Sequence, residues 1–126
     1  MSIAEHKVAP VFGTADFSTD QGMAVVTLTG EFDAYTTETL RKTFAQAVIE
    51  APRPRMAVEA SGVTFFDSGA LGCLIWAWKR LKEVNGVMCL AAPSERMMQP
   101  IRITGLTRIF EAFPTIEEAL TWLAER

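Results

Sequence analysis

The 126-residue sequence has few of the side chains from which metal sites and hydrolytic sites are built. It contains one histidine, His6, and two cysteines, Cys73 and Cys89, which lie far apart in apolar surroundings. A zinc site would lack ligands, and a nucleophilic serine would lack a neighbouring base. Two buried thiols are typical of a protein in a reducing compartment. We therefore expect no metal, no cofactor and no catalytic residue, and so a protein that is not an enzyme.

The sequence also lacks an excess of positive charge and a long hydrophobic run. Its 12 Lys and Arg against 15 Asp and Glu give a net charge of -3, the wrong sign for neutralising the phosphates of DNA or RNA. Lys79, Arg80 and Lys82 interrupt the most apolar stretch, so no segment reaches the roughly 18 residues of a membrane helix. Charges within residues 1–10 argue against a secretory signal. We expect a cytoplasmic protein that binds another protein, without nucleic acid binding or direct membrane insertion.

Length and composition predict one domain over residues 11–126, preceded by an N-terminal tail over residues 1–10. Hydrophobic residues make up 49% of the chain and charged residues 21%, which is typical of a packed domain. Two apolar, β-branched segments, 11–17 and 23–29, are separated by the turn-rich connector 18–22. They predict an opening β-hairpin.

Helical and strand patterns alternate after the hairpin. The first predicted helix runs from Thr36 or Thr37 to Pro52 and is followed by a strand over 56–60 that continues towards Phe66. The second helix stops at Asn85-Gly86 and has an apolar face of Leu71, Leu74, Ile75, Trp78 and Leu81. The remaining elements are a strand over 87–92, a short or kinked helix after Ser94 that contains Pro100, an edge strand over 109–113, and a helix opened by the capping box 115–118. This order predicts an α/β fold with a mixed central sheet, parallel after the hairpin and packed by about four helices.

Ser68 stands at the junction between an apolar run and the second helix. Its hydroxyl can cap that helix by accepting bonds from backbone N–H groups. The same place suits a phosphorylation site, because a helix N-terminus carries partial positive charge that stabilises a phosphate. A phosphate would add about 1.5 to 2 negative charges beside Asp67. Both interpretations remain open from the sequence.

The segment 30–33, Gly-Glu-Phe-Asp, follows the second predicted strand. It can be a surface turn in which Glu31 and Asp33 are solvated and Gly30 supplies a backbone angle that other residues avoid. It can also be an acidic loop close to Ser68, if the two strands end at the same edge of the sheet.

The motifs of common enzymes are absent around Ser68. The nucleophile elbow Gly-x-Ser-x-Gly is broken by Phe66 and Ala70. The glycines at 69 and 72 are not followed by the Gly-Lys-Ser/Thr of a phosphate-binding loop. An independent enzyme is therefore the least favoured of the functions that we consider.

An ordered set of segments resembles the STAS family, the anti-sigma factor antagonists of bacterial partner-switching systems. The set consists of 28–33 (LTGEFD), 63–72 (VTFFDSGALG), 104–106 (TGL) with Phe110, and 117–120 (EEAL). The resemblance implies a compact domain with a β-sheet on one side and helices on the other. It also implies binding to a histidine-kinase-like ATPase that acts as anti-sigma factor and serine kinase, which releases the sigma factor.

Carried over by position, the resemblance identifies Ser68 as the serine that the kinase phosphorylates and that a serine phosphatase resets. It also matches Asp33 and Asp67 to acidic residues close to that serine. We expect the surface around these residues and the second helix to bind the partner, with partner-binding residues at Glu31, Asp33, Asp67, Ser68, Gly69, Leu71, Gly72 and Trp76. The chain departs from the family at Gly69 and Ala70, where Ser or Thr and then Gly are usual, and at Trp76, where a small residue is common. Small STAS proteins also occur as accessory subunits of lipid-transporting ABC systems, which is the alternative function.

Trp76 falls beside the apolar face of the second helix rather than in its middle. We expect it to be half exposed. It is then either a ring at the periphery of the core or an anchor in a protein interface, where aromatic residues concentrate.

Overall fold

The computed structural model of the protein describes residues 12–126. The predicted tail, 1–10, and Val11, the predicted start of the domain and of its first strand, lie outside the described residues. The elements in chain order are β1 (Thr14–Asp20), β2 (Met23–Phe32), α1 (Thr37–Glu50), β3 (Arg55–Phe66), α2 (Ser68–Lys82), β4 (Val87–Ala91), α3 (Glu95–Ile103), a 3-10 turn (Leu106–Arg108), β5 (Glu111–Phe113) and α4 (Ile116–Ala124).

The five strands form one mixed sheet in the order β1-β2-β3-β4-β5. β1 is antiparallel to β2, and the remaining neighbours pair in parallel. The predicted α/β class and the opening hairpin are confirmed, and residues 12–126 contain the predicted four helices. Because α1 and α2 each connect the end of one parallel strand to the start of the next, both helices begin at the edge where the strands end. We call this edge, with the residues that follow β2 and β3, the carboxyl edge of the sheet.

The hairpin differs from its prediction in where the turn lies. β1 continues to Asp20, and only Gln21 and Gly22, both with positive φ, make the turn. The predicted connector over 18–22 was therefore too long. Ser18 and Thr19 are exposed on an edge strand, where polar side chains face solvent and give a strand the composition of a loop.

The helices cover both faces of the sheet, which corrects the expectation that they lie on one side. On one face, Met56, Val58 and Leu90 belong to the larger core with α1, α2 and α3. On the other face, Ala57 and Cys89 pack under α4. Successive residues of a strand point to opposite faces, and these two central strands are apolar on both. The second apolar face therefore needs its own helix, and its small side chains allow α4 to pack closely.

β2 continues through Gly30 to Phe32, so this part of segment 30–33 is strand rather than surface turn. Gly30 does supply the predicted backbone angle, with φ +96, and the pairing with β3 shifts register just after it. A Cβ at Gly30 would come within 2.8 Å of the carbonyl oxygen of Phe12. Glycine is required here by both the angle and the close approach of the chain.

α2 turns a slightly different face to the core than predicted. Ala70, Cys73 and Ala77 are buried in its centre, whereas Ile75 and Trp78 are only partly buried. α3 is a short helix that contains Pro100, as expected, and the Ser94 hydroxyl accepts a bond from the Met97 N–H at 3.2 Å. The prediction of a short or kinked helix after Ser94 is confirmed as a short helix.

Candidate functional site

The ends of β2 and β3 bring two acidic residues to the carboxyl edge. Phe32 and Phe66 are partners in the parallel register, so Asp33 and Asp67 occupy equivalent places one residue further on. The Asp67 N–H also donates to the Phe32 carbonyl oxygen at 3.1 Å. The condition set for an acidic loop near Ser68, that both strands end at one edge, is met.

Asp67, and not Ser68, caps α2. The Oδ1 atom of Asp67 accepts a hydrogen bond from the Ala70 N–H at 2.9 Å, and Asp67 has the extended backbone of an N-cap residue. The prediction that Ser68 caps the helix is therefore wrong by one residue, because a carboxylate precedes the serine and takes the same role. Ser68 is the first residue of the helix and is exposed. Its hydroxyl has no hydrogen-bond partner among residues 12–126.

A network of hydrogen bonds fixes the loop that carries Asp33. Its Oδ1 atom accepts from the Tyr35 N–H at 2.9 Å, and its carbonyl oxygen accepts from the Thr37 hydroxyl at 3.0 Å. The Asp33 N–H donates to Oγ1 of Thr36, which is buried. The Asp33 carboxylate remains partly exposed, as does Glu31 on the preceding strand. The acidic groups are therefore held at the surface by backbone contacts.

Gly69 lies where the first turns of α1 and α2 meet. A Cβ at this position would be 3.3 Å from both Asp67 Oδ1 and Thr37 Oγ1. One turn later the Cys73 thiol donates to the Thr37 carbonyl oxygen at 3.7 Å. Burial raises the pKa of Cys73, against the opposing effect of Arg41. The glycine thus allows the two helices to begin side by side, with Asp67 and Thr37 close to its backbone.

The outer face of α2 continues from Ser68 to Gly72 and Trp76, at intervals of four residues. Gly72 is exposed, and a Cβ there would have nothing within 4 Å. Trp76 is partly buried against the core, as expected of a half-exposed ring. Leu71 is only 6% exposed. It lies on the core side of the helix, where it supports the surface, and its role as a partner-binding residue stays a prediction.

Exposed hydrophobic side chains cluster at the carboxyl edge, and the sequence patterns missed them. Tyr35 is 85% exposed, Phe65 44% and Ile103 83%. Phe65 and Ile103 line a groove of about 200 Å³ together with Phe66, Arg96, Gln99 and Pro100. The sequence shows that these residues are large and apolar, but it does not show whether they are exposed. A large apolar residue outside the helical or strand period can equally well belong to the core.

Most of the large hydrophobic side chains that the described residues expose lie at this edge. Residues 12–126 expose six large hydrophobic side chains, and Phe12, Tyr35, Phe65 and Ile103 are four of them. Phe12 forms a bridge with Glu31, near the end of β2. The other two lie away from the carboxyl edge, Ile49 near the C-terminal end of α1 and Val84 two residues beyond the C-terminal end of α2. Apolar surface of this kind, rimmed by polar groups, is typical of a protein interaction site.

Over the described residues, 12–126, no group of three or more His, Cys, Asp or Glu side chains is arranged to hold a metal ion. No helix in that part of the chain is both long enough and apolar enough to cross a membrane. Cys73 and Cys89 are buried, free thiols. The chemical groups gathered at the carboxyl edge therefore include the Ser68 hydroxyl, the carboxylates of Glu31, Asp33 and Asp67, and exposed apolar side chains.

Comparisons with known proteins agree on one family. The family model described as STAS domain matches residues 14–119. The anti-sigma-F factor antagonist RsfB of Mycobacterium tuberculosis is 28% identical over 115 residues, which cover 90% of this chain and 91% of that protein. A Thermotoga neapolitana protein is 38% identical over 60 residues, so the match spans 48% of this chain and about half, 53%, of that relative. The crystal structure of an anti-sigma factor antagonist from Mycobacterium paratuberculosis superposes with a TM-score of 0.81 at 29% identity, over 92% of this chain and 97% of that one.

Proposed function

The chain belongs to the STAS family, and on that premise we propose that it is an anti-sigma factor antagonist, which binds an anti-sigma factor of the histidine-kinase-like ATPase class and is released by phosphorylation of Ser68. The observation that carries the proposal is the state of the Ser68 hydroxyl. It is exposed at the first turn of α2 and has no partner among residues 12–126, since Asp67 makes the cap.

In the unphosphorylated state, the carboxyl edge offers the partner an apolar surface around that hydroxyl. Tyr35 stands on the α1 side, and Phe65 and Ile103 line the groove beside α3. Burial of such side chains at an interface supplies most of its binding energy, and polar groups at the rim fix its register. The relatives described above, RsfB and the Mycobacterium paratuberculosis protein, carry the name anti-sigma factor antagonist, and the shared family supports the same role here.

Phosphorylation changes the charge of this surface. A phosphate on Ser68 adds about 1.5 to 2 negative charges next to Asp67 and close to the equivalent Asp33. In the free protein the charge is solvated and favoured by the α2 N-terminus. In the complex it would lose its water beside two carboxylates, which costs several kcal/mol unless the partner supplies cations. The modification therefore favours the free state.

The transfer reaction needs only a free hydroxyl from this chain. The γ-phosphoryl group passes from ATP to Ser68 Oγ, the bond to the β-phosphate breaks with loss of ADP, and the hydroxyl proton goes to a base on the kinase. Ser68 meets the requirement for access, because it is exposed and its hydroxyl makes no hydrogen bond within residues 12–126. A serine phosphatase hydrolyses the phosphoserine and restores the binding state.

The test combines binding with modification. The purified chain is mixed with each kinase-like ATPase from its own genome, with and without ATP, and complexes are measured by size-exclusion chromatography and Ser68 by mass spectrometry. We expect one ATPase to bind the wild type and Ser68→Ala, to fail with Ser68→Glu, and to phosphorylate Ser68 in the wild type. Ser61→Glu is the matched control, since Ser61 is also exposed but lies within β3, five residues before its end.

Ser61→Glu is expected to bind like the wild type, which separates the position of the charge from its presence. Binding of Ser68→Glu at wild-type strength would contradict the switch, and the absence of any ATPase complex would contradict the function itself. Co-purification with the ATPase of a lipid transporter, together with no effect of Ser68→Glu, would support the ABC accessory role instead.

A further inference from the structure

Trp76 carries two arginines on its ring. It lies on α2, with the guanidinium carbon of Arg41 from α1 at 5.9 Å from the ring centroid and that of Arg80 from α2 at 5.7 Å. Both distances fall in the range of cation–π contacts. Arg80 also pairs with Glu83 at 3.1 Å, whereas Arg41 makes no ion pair within residues 12–126. We call these three residues the Trp76 patch.

The Trp76 patch is continuous with the proposed phosphorylation site. Ser68, Gly72 and Trp76 follow one another at intervals of four, which places them along one side of a helix. Eight residues of helix span about 12 Å. The space between the two ends is open, because Gly72 is exposed and has no side chain. A protein seated on Ser68 can therefore extend to Trp76 along α2 without an obstacle.

The charge of this surface is opposite to that of the whole chain. The net charge of the protein is -3, but Lys79 and Arg80 follow Trp76 by three and four residues on α2, and Arg41 adds a third cation from α1. Glu83 pairs with Arg80, and Lys82 lies over the ring of Trp78 instead. A local cluster of one sign steers a partner segment of the other sign during association. The partly buried indole beside the two guanidinium groups adds apolar surface that a partner side chain can contact.

We propose that the Trp76 patch is a second contact with the anti-sigma factor, and that it receives an acidic segment of that protein with an apolar side chain seated on the indole. This inference rests on the proposed function. It assigns to Trp76 the role of interface anchor, because tryptophan and arginine are the side chains most enriched among residues that dominate binding energy. Trp76 stands where a small residue is common in the family, and this difference then has a role in partner choice.

The Trp76 patch and Ser68 have separable effects. They are about 12 Å apart along the helix, somewhat more than the Debye length of about 8 Å at physiological salt. A phosphate on Ser68 therefore leaves the two arginines largely unaltered. The patch sets how fast and how tightly the partner binds, and Ser68 sets whether it binds.

The experiment measures association and dissociation rates with the ATPase identified above, by surface plasmon resonance at 50 mM and 500 mM salt. Three variants are compared with the wild type: Trp76→Ala, Arg41→Gln combined with Arg80→Gln, and Arg53→Gln combined with Arg108→Gln. The last removes the same charge elsewhere, since Arg53 lies at the opposite edge, beside the β1–β2 turn, and Arg108 in the 3-10 turn. Thermal unfolding of each variant is measured alongside.

We expect the Arg41/Arg80 variant to associate about tenfold more slowly at 50 mM salt, with a difference of about twofold at 500 mM. Trp76→Ala is expected to dissociate about tenfold faster. The Arg53/Arg108 control should stay within about twofold of the wild type. Phosphorylation of Ser68 should weaken binding by the same factor in the Arg41/Arg80 variant as in the wild type.

Wild-type rates and salt dependence in a folded Arg41/Arg80 variant would overturn this inference while leaving the proposed function intact. A second arm uses vesicles rich in phosphatidylglycerol. In one outcome the wild type binds these vesicles, the Arg41/Arg80 variant does not, and both bind the ATPase equally well. That outcome would show that the Trp76 patch binds an anionic lipid surface, and it would also overturn this inference. Failure of every ATPase to bind the wild type would overturn the proposed function and this inference with it.

Discussion

The carboxylate of Asp67 accepts a hydrogen bond from the backbone N–H of Ala70, with 2.9 Å between oxygen and nitrogen. This bond satisfies one of the free donors at the start of α2. Because Asp67 makes it, the hydroxyl of the next residue, Ser68, is available to another protein. The cap and the proposed phosphorylation site are therefore neighbouring residues with different roles.

Replacement of the cap should destabilise the fold. Asp67→Ala is expected to lower the free energy of unfolding by about 1 kcal/mol, because the Ala70 N–H loses its acceptor. Asp67→Asn should stay close to the wild type, since asparagine caps helices equally well. Urea unfolding followed by circular dichroism measures both. Equal stability of Asp67→Ala and the wild type would show that another group caps α2.

Gly72→Ala should raise the stability of the fold and weaken binding to the ATPase. A Cβ at Gly72 meets nothing within 4 Å, and alanine is favoured over glycine in a helix interior by about 1 kcal/mol, so the fold should gain about that much. The added methyl group lies between Ser68 and Trp76, where we expect it to weaken the ATPase complex about tenfold. Thermal unfolding and a binding titration measure the two effects.

The control for this variant is Gly105→Ala. Its Cβ would also stand in open space, but the backbone of Gly105 has φ +75, which an L side chain adopts at a cost. Gly105→Ala should therefore lower stability by about 1 kcal/mol. A Gly72→Ala protein that binds as tightly as the wild type would remove Gly72 from the proposed interface.

Patterns in the sequence predicted the architecture because they arise from local physics. The parallel sheet after a hairpin follows from the order of apolar segments, and the helix after Asp67 follows from its period. The side of the sheet on which α4 packs depends on the small residues Ala57 and Cys89, which face away from the main core. A continuous apolar run indicates a strand that is buried on both faces, but it does not reveal which helix covers each face.

The candidate site was predicted in part for the same reason. Asp33 and Asp67 meet because Phe32 and Phe66 pair, and a parallel register follows once the strand order is known. The cap was misplaced by one residue, since Asp67 and Ser68 are equally good N-cap types. Ile103 was missed because its exposure depends on how α3 packs against the end of β3.

The exposed isoleucines offer a matched pair that tests the apolar part of the surface. Ile103→Gln should weaken the ATPase complex about tenfold, because Ile103 lines the groove next to Phe65. Ile49→Gln removes an equally exposed side chain, 79% against 83%, at the opposite end of the molecule and should have no effect. Neither change should alter the free energy of unfolding by more than about 0.5 kcal/mol. Equal binding by both variants would exclude the groove from the interface.

The raised pKa of the buried Cys89 thiol should make the free energy of unfolding depend on pH in the alkaline range. Burial, with a smaller effect of Glu111, raises the pKa of Cys89 from 9.0 to about 12. Above pH 9.0 the unfolded thiol ionises while the folded one keeps its proton, so stability is complete below pH 9.0 and falls as the pH rises towards 12. By pH 10 the free energy of unfolding of the wild type should have fallen by about 1 kcal/mol more than that of Cys89→Ala.

Urea unfolding of the wild type and Cys89→Ala between pH 7 and pH 10.5 measures this difference. Cys89→Ala will be less stable than the wild type at neutral pH, because it leaves a cavity under α4. The informative quantity is therefore the change of each protein's stability with pH. Parallel curves would contradict a protonated, buried Cys89.

Release of the partner by phosphorylation of Ser68 is tested most directly by calorimetric titration of the cognate ATPase with two forms of the wild-type chain, one unphosphorylated and one phosphorylated at Ser68 alone. We expect a complex with the unphosphorylated form and a dissociation constant at least about 100-fold larger for the phosphorylated form, the equivalent of about 2.7 kcal/mol of charge repulsion and lost hydration. Equal dissociation constants for the two forms would contradict release by phosphorylation.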